Sequence, residues 1–275
     1  MGVLLSTLRG SVRRDIAADP QGVWPDVEAR FYARGLAQSN YAQQVGGALM
    51  RLVGPCRSLV DVGAGCGMLG ALLVEGGQRW TAIEPSRYMR GRIRQRGKAL
   101  AGVDTNAIAA RWEDIDPAAL KPHDVAMGAN IGGPMQQPLA LLAFMRRVAT
   151  RRIAWSVSAQ HGPRTFCLSG LLPPEIHGLD TRPGHLYTLE ALGKANQPDR
   201  IEFVDWHFAY AFRSHDAARA LFVDRMRRPD LDRDGSPLDD FLRGALIRRG
   251  GAFIACAPKR SAILIWNQDK AGDHR

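Results

Sequence analysis

The hydrophobic pattern of this chain changes its period along the sequence, and these changes separate helices from strands. Between residues 19 and 53, apolar side chains recur at helical spacing in two segments, with Pro25 in the first turn and Ser39 at the break. Short apolar runs then predict buried strands, at residues 59–62, 80–83, 106–110 and 123–130. A helix is predicted between the second and third runs, from a cap at Ser86 to about residue 101.

The second half of the chain continues this alternation and then becomes irregular. We expect a helix at 138–148, a fifth strand at 152–158, and a loop-rich insertion at 159–200 with a helix near 187–195. The remaining pattern predicts a long strand, two helices and two strand-like runs, at residues 201–212, 216–226, 238–248, 252–257 and 261–266. Strands that alternate with helices indicate an α/β fold with a mostly parallel sheet.

The most informative stretch is residues 58–70, SLVDVGAGCGMLG. A buried strand that contains Asp61 runs into three glycines at alternating positions, Gly63, Gly65 and Gly67. Glycines here allow positive φ and let a ligand approach the main chain. We expect a helix to begin at Met68, with its free N–H groups directed back at that ligand. The next strand ends in Glu84, about where an acidic residue binds a ribose, which predicts a nucleotide-type binding unit.

These residues also carry a resemblance to a known family. Asp61-Val62-Gly63-Ala64-Gly65-Cys66-Gly67 resembles the D-x-G-x-G-x-G first motif of class I S-adenosylmethionine-dependent methyltransferases. Glu84 stands where that family's second motif has its ribose-binding acid, and residues 111–114 resemble the later segment beside the adenine. The match covers residues 58–158 in the family's order.

The resemblance implies a fold and a division of the chain. The expected fold is α/β, a Rossmann-like sheet of seven mostly parallel strands with an antiparallel last pair and helices on both faces. Residues 1–53 would form an N-terminal helical extension over the cofactor site. Residues 54–275 would form the methyltransferase domain, with a lid insertion after strand five at 159–200.

The resemblance further implies S-adenosyl-L-methionine as the cofactor and assigns residues to it. Asp61 and the loop residues Gly63, Ala64, Gly65 and Gly67 would position the methionine part, and Glu84 the ribose. Trp112, Glu113 and Asp114 would frame the adenine. Asn130 would stand beside the cofactor at the end of the fourth strand, because that strand's end faces the methyl group in this fold class.

Candidates for the acceptor side come from that strand end and from the insertion. Asn130 offers both a donor and an acceptor, and would position the methyl acceptor. His161 is our candidate general base, because it lies nearest the sheet edge. Further candidates to contact substrate are aromatic, basic and imidazole side chains, Tyr32, Tyr41, Arg164, His177, His185 and Tyr187. For each of these, packing in the core or a place on the surface is an equally simple interpretation.

A dinucleotide-binding unit is the main alternative for the glycine stretch. Residues 65–70 also spell G-x-G-x-x-G, with Glu84 downstream. In that register Asp61 would lie beside a pyrophosphate, which its carboxylate repels. The same carboxylate suits a sulfonium cation and an amino-acid ammonium group, so charge favours the methyltransferase interpretation over an NAD-dependent oxidoreductase.

Composition limits the class of protein. The 275 residues are 45% hydrophobic, enough for a full core, and no apolar run approaches the length of a membrane helix. Four cysteines are scattered without a C-x-x-C pair, which argues against a metal site or a disulfide framework and favours the cytoplasm. We therefore expect a soluble cytoplasmic protein without a membrane partner.

The net charge raises the question of a nucleic-acid partner. The chain carries +10, but its arginines are spread over several clusters with no single recognition stripe. A small-molecule acceptor is therefore favoured, and basic residues near the pocket would suit an acidic one, such as a carboxylate-bearing metabolite. An RNA or protein methyltransferase using the basic surface stays open as the second class. A non-catalytic cofactor-binding module is the third.

Overall fold

The strands of this protein pair into one mixed sheet. The computed structural model describes residues 24–131, 137–161, 166–177, 182–226, 231–233 and 235–268. Its strands are β1 Ser58–Val62, β2 Arg79–Ile83, β3 Asp104–Ile108, β4 His123–Ala129, β5 Ala149–Ser158, β6 Arg200–Phe212, β7 Ile247–Arg249 and β8 Ala252–Asn267. The sheet order is β3-β2-β1-β4-β5-β8-β6, with the short β7 paired to β8.

The pairing directions confirm the predicted sheet. Strands β1 to β5 are parallel to one another, and β8 is antiparallel to both β5 and β6. The connection from β1 passes to β2 on one side, whereas β4 lies on the other side. A topological switch point therefore falls between β1 and β4, where open α/β sheets form a crevice at the carboxyl ends of the strands.

Helices cover both faces of the sheet. They are α1 Asp26–Gln38, α2 Gly47–Val53, α3 Arg87–Ala99, α4 Pro138–Val148, α5 Pro174–His177, α6 Gly184–Leu192, α7 His215–Met226 and α8 Pro237–Ala245. Successive residues of β1 are buried on opposite faces of the sheet: Leu59 packs with α1 to α3, while Val60 packs with α4. In the described ranges, no helix is long and apolar enough to span a bilayer.

Three sequence predictions about elements are wrong. The helix expected from Met68 is a single 3₁₀ turn, Gly70–Leu72, because glycines at 70, 76 and 77 disfavour a helix and β2 follows at once. The helix expected to reach residue 248 ends at Ala245, since the next residues form β7 and turn through Gly250 and Gly251 into β8. The two C-terminal runs form one strand, β8, whose Pro258 remains paired in register with His207.

Helix α1 spans one face of the sheet from β6 to α3. Gly35 brings α1 so close to β6 that an added Cβ would lie 2.0 Å from Cζ of Phe208. At the other side, the Arg30 guanidinium lies 4.5 Å from the centre of the Tyr88 ring on α3. The β6 backbone N–H of His207 donates to the Asn40 side chain (2.7 Å), which covers part of this sheet edge.

The close packing of α1 on β6 can be tested with two glycine substitutions. Gly35→Ala should lower the free energy of unfolding by about 1–3 kcal/mol, because the new methyl group overlaps the fully buried Phe208 ring. Gly91→Ala, at an exposed site in α3 where an added Cβ meets nothing, should raise it by about 0.5–1 kcal/mol. Urea unfolding followed by circular dichroism measures both, and equal effects would contradict the packing.

Candidate functional site

A cavity of about 390 Å³ opens at the carboxyl ends of β1, β2 and β4, at the switch point of the sheet. Its walls come from α1, the glycine loop after β1, the end of β2, the loop after β3 and the end of β4. The polar and aromatic side chains that line it are Trp24, Tyr32, Tyr41, Asp61, Glu84, Ser86, Arg111, Trp112, Glu113 and Asn130. Its size suits a small organic molecule.

The glycine loop adopts the backbone that the sequence predicted. Gly63, Gly65 and Gly67 have φ of 61°, 54° and 70°, in the region that side chains disfavour. At Gly67 an added Cβ would lie 2.8 Å from the Trp80 ring, so this glycine serves packing. At Gly65 an added Cβ would meet nothing within 4 Å, and the residue lines the cavity. Gly65 therefore leaves the main chain open to a ligand.

Glu84 fixes that loop to the end of β2. One carboxylate oxygen accepts the backbone N–H of Gly65 (2.8 Å), and the other accepts that of Ser86 (2.8 Å). Burial raises the pKa of Glu84, and these two N–H groups oppose the shift. Each oxygen keeps a second lone pair, so the side chain can hold the loop and still accept from a ligand hydroxyl.

Asp61 is a buried carboxyl without a cationic partner among the described residues. The residue is 2% exposed and lines the cavity, and its Oδ2 lies beside the Trp80 indole. Burial raises the pKa of Asp61 from 3.8 to about 8, and the nearby Glu84 carboxylate raises it further, while the Trp80 indole opposes the shift. A cation entering the cavity would gain a charge partner here and favour the ionised form.

The loop after β3 forms another wall of the cavity. Trp112 is 7% exposed, and its indole Nε1 has no hydrogen-bond partner within the described residues. Glu113 lines the cavity and forms an ion pair with Arg111 (3.1 Å). Asp114 belongs to the same 3₁₀ turn but is not among the lining residues. This wall therefore offers a flat ring, an unused donor and a carboxylate to a ligand.

At the end of β4, Asn130 has a strained backbone. Its φ of 48° makes it the one described non-glycine residue with positive φ. Its side-chain amide donates to the hydroxyl of Tyr41 (3.1 Å), which lies just after α1. Tyr32 also lines the cavity, and burial raises the pKa of both tyrosines. The amide and the phenols form a polar group opposite the glycine loop.

Several predicted residues are not among those lining this cavity. His161 is exposed beyond the end of β5, and Tyr187 is 43% exposed on α6 with the Arg182 guanidinium 5.0 Å from its ring centre. Arg164 lies outside the described residues. Gly67 supports the loop from behind, as described above. The proposed roles of His161, Arg164 and Tyr187 stay predictions.

Sequence reasoning missed several side chains of the cavity, including Trp24, Leu36 and Met127. Trp24 precedes α1 and contacts Tyr32 edge-on, with ring centres 4.8 Å apart. Met127 lies two residues before Ala129, which also lines the cavity, and so points to the same face of β4. For Trp24 and Leu36 the helical pattern indicates a buried face but not what that face covers.

Comparison with known proteins gives structural likeness only. No protein-family model matches this chain, and no curated protein matches it. Similar structures include magnesium protoporphyrin IX methyltransferase from Synechocystis PCC 6803 with bound SAM, at 13% identity and TM-score 0.42, covering 94% of this chain and 91% of that one. The precorrin-6y C5,15-methyltransferase of Geobacter metallireducens GS-15 has 13% identity and TM-score 0.42, with 81% and 85% covered.

A third similar structure is the cyclopropane synthase MmaA2 from Mycobacterium tuberculosis, at 10% identity and TM-score 0.41, covering 79% of this chain and 83% of that one. At such identities and TM-scores, likeness does not determine the ligand or the reaction of this chain. What defines the site is its own geometry: an open α/β sheet with a small-molecule cavity at its switch point.

The raised pKa of Asp61 predicts that replacing it with a neutral residue stabilises the fold by an amount that depends on pH. The native carboxyl stays protonated up to about pH 8, whereas in the unfolded chain it ionises above about pH 4, so its contribution to stability is lost as pH rises between these values. Asp61→Asn should therefore match the wild type near pH 4 and melt several degrees higher near pH 8. Thermal unfolding at a series of pH values measures this difference, and a gap that does not change with pH would contradict it.

Proposed function

We propose that this protein transfers a methyl group from S-adenosyl-L-methionine to a small-molecule acceptor. The observation that carries the proposal is Asp61, a buried carboxyl that lines the cavity beside the glycine loop and has no cationic partner among the described residues. A buried carboxylate without a cationic partner costs free energy unless a ligand supplies one. A cationic donor, such as an amino-acid ammonium group, satisfies this carboxylate best.

Charge supports a cationic ligand over a dinucleotide. Two carboxyl groups, Asp61 and Glu84, lie at the glycine loop, and among the described lining residues the only basic side chain, Arg111, is paired with Glu113. Pyrophosphate binding in Rossmann units relies on the N-terminus of a helix after the glycines. Here a single 3₁₀ turn follows the loop, so that source of positive charge is missing.

The chain's residues fit the parts of the proposed cofactor. Asp61 would accept from the ammonium group, and Glu84 would accept from the ribose hydroxyls with the lone pairs not used by backbone N–H groups. Trp112 would supply apolar area and an indole donor beside the adenine, and Glu113 an acceptor for its amine. Once bound, the sulfonium supplies an activated methyl group.

The acceptor would approach from the side of Asn130 and Tyr41. Their hydrogen bond fixes the orientation of the Asn130 amide, and the amide oxygen would then accept from and orient an acceptor group. Helix α1 brings Tyr32 into the same wall and would help to exclude water. We therefore propose the described part of residues 1–53, from residue 24 onward, as an extension over the site. Contributions from the 159–200 insertion stay predictions, because His161 and Tyr187 do not line the cavity and Arg164 lies outside the described residues.

Two arginines of helix α3 are engaged in hydrogen bonds at the cavity wall, which weakens the case for an RNA partner. The Arg90 side chain donates to the carbonyl oxygens of Glu84 and Pro85, and Arg96 donates to that of Cys66 (3.0 Å). These two arginines hold the walls of the cavity and are not free to contact phosphates along a recognition surface. This use of the basic helix favours a small-molecule acceptor.

Calorimetry tests the cofactor. S-adenosylmethionine and S-adenosylhomocysteine should bind the wild type, and NAD should not. Glu84→Gln should weaken the affinities for S-adenosylmethionine and S-adenosylhomocysteine by about tenfold or more. The reason is that an amide in place of the carboxylate directs an N–H group at one of the two backbone donors.

Glu75→Gln is the matched control, since Glu75 is exposed and outside the cavity, and it should leave both affinities unchanged. Tight NAD binding, or equal affinities in the Glu84 variant and the wild type, would refute the cofactor assignment.

The acceptor class can be tested by methyl transfer from labelled S-adenosylmethionine into fractions of a cell extract. We expect label in the small-molecule fraction and none above background in RNA or protein. Asn130→Gly should lower this transfer by about tenfold or more while cofactor affinity changes little, because glycine keeps the positive φ and removes only the positioning amide. Label in RNA instead would favour the second function.

A further inference from the structure

A lysine on the long C-terminal strand lies near the cavity and remains outside the functions described so far. Lys259 pairs with Trp206 across β8 and β6, so both side chains are on the same face of the sheet. The Trp206 ring centre lies 4.5 Å from that of Tyr41, and Tyr41 accepts the hydrogen bond from Asn130. Lys259 is therefore one side-chain layer beyond the proposed acceptor wall.

Lys259 has no charge partner among the described residues. In those ranges its ammonium group makes no ion pair and no side-chain hydrogen bond, although the residue is half-buried. The next residue, Arg260, points to the opposite face, where it lies 3.5 Å from Asp205 and over the Phe203 ring. Since a buried charge without a partner is costly, an unpaired lysine here is a candidate for binding a ligand.

The titratable groups nearest to Lys259 do not neutralise its charge. Burial lowers the pKa of Lys259 and raises that of the neighbouring Cys167 thiol to about 11, so the thiol is uncharged at neutral pH. Glu28 of α1 is already in an ion pair with Arg225 of α7. The local field at Lys259 is therefore positive, with Cys167 offering no counter-charge.

This positive site is linked to the cavity through Tyr32. Tyr32 lines the cavity and is electrostatically coupled to both Tyr41 and Cys167. The segment that carries Cys167 packs on β8, where a Cβ on Gly170 would lie 3.1 Å from the carbonyl oxygen of Pro258. Cys167 is thus near enough to act electrostatically on both Lys259 and Tyr32.

We propose that Lys259 binds an anionic group of the methyl acceptor, and that this group is a carboxylate. The inference rests on the proposed methyl transfer and names the class of acceptor for it. A single ammonium group matches a monoanion, whereas a phosphate dianion is usually held by several donors. Arg225, another nearby cation, is occupied by Glu28, so Lys259 is the unpaired cation of this group among the described residues.

Simple carboxylates test this site in the full chain saturated with S-adenosylhomocysteine. Benzoate and hexanoate at millimolar concentrations should raise the melting temperature by about 2–4 °C, and the neutral analogues benzamide and hexanamide should not. Lys259→Met should abolish the carboxylate shift, and Lys259→Arg should retain most of it. Arg260→Met, on the opposite face, should behave as the wild type.

Each outcome of this experiment is decisive. Equal shifts by acids and amides, a shift that survives in Lys259→Met, or no shift with either acid would overturn the carboxylate site. Lys259→Met should still fold, because it removes a buried charge, and its unliganded melting temperature should equal or exceed that of the wild type. Calorimetry with S-adenosylhomocysteine on both proteins separates the two proposals: unchanged affinity leaves the cofactor assignment intact whatever happens at Lys259.

Discussion

The site depends on one hydrogen bond, from the backbone N–H of Gly65 to the carboxylate of Glu84. It ties the loop after β1 to the end of β2, and the second Glu84 oxygen continues the link to Ser86, which caps α3. Because this side chain determines where the glycine turn lies, it also determines the shape of the cavity floor. Arg90 and Arg96 of α3 support the same loop through its neighbouring carbonyl groups.

Around this fixed loop the protein retains features that cost stability. The carboxyl of Asp61 is buried without a cationic partner among the described residues, and Asn130 holds a backbone conformation that few side chains accept. Both face one cavity. Strain and unsatisfied polar atoms that cluster in a single place are typical of a functional site, since a ligand can repay them.

The two ends of the cavity are built by different parts of the chain. Parallel strands and the glycine loop form the proposed cofactor end, where local backbone geometry decides what can bind. The proposed acceptor end includes Tyr41, just after α1, which lines the cavity and packs on Trp206 of β6, with Lys259 of β8 paired to Trp206 behind it. This separation would let acceptor specificity change by substitutions on β6, β8 and α1 without disturbing the glycine loop.

The sequence by itself determined the strands, the positive φ of the glycine turn and the acidic end of β2, because each depends on local backbone preference and on the burial of alternate residues. It also suggested a helix after the turn and two separate C-terminal strands, and both were wrong. Glycines at 70, 76 and 77 disfavour the helix, and Gly70 fits closely against Asp61 and Trp80, while β8 continues through Pro258 at the register that β6 sets. Only the tertiary structure decided the acceptor wall. Asn130 and Tyr41 are 89 residues apart, and no periodicity in the chain encodes a hydrogen bond between side chains on different elements.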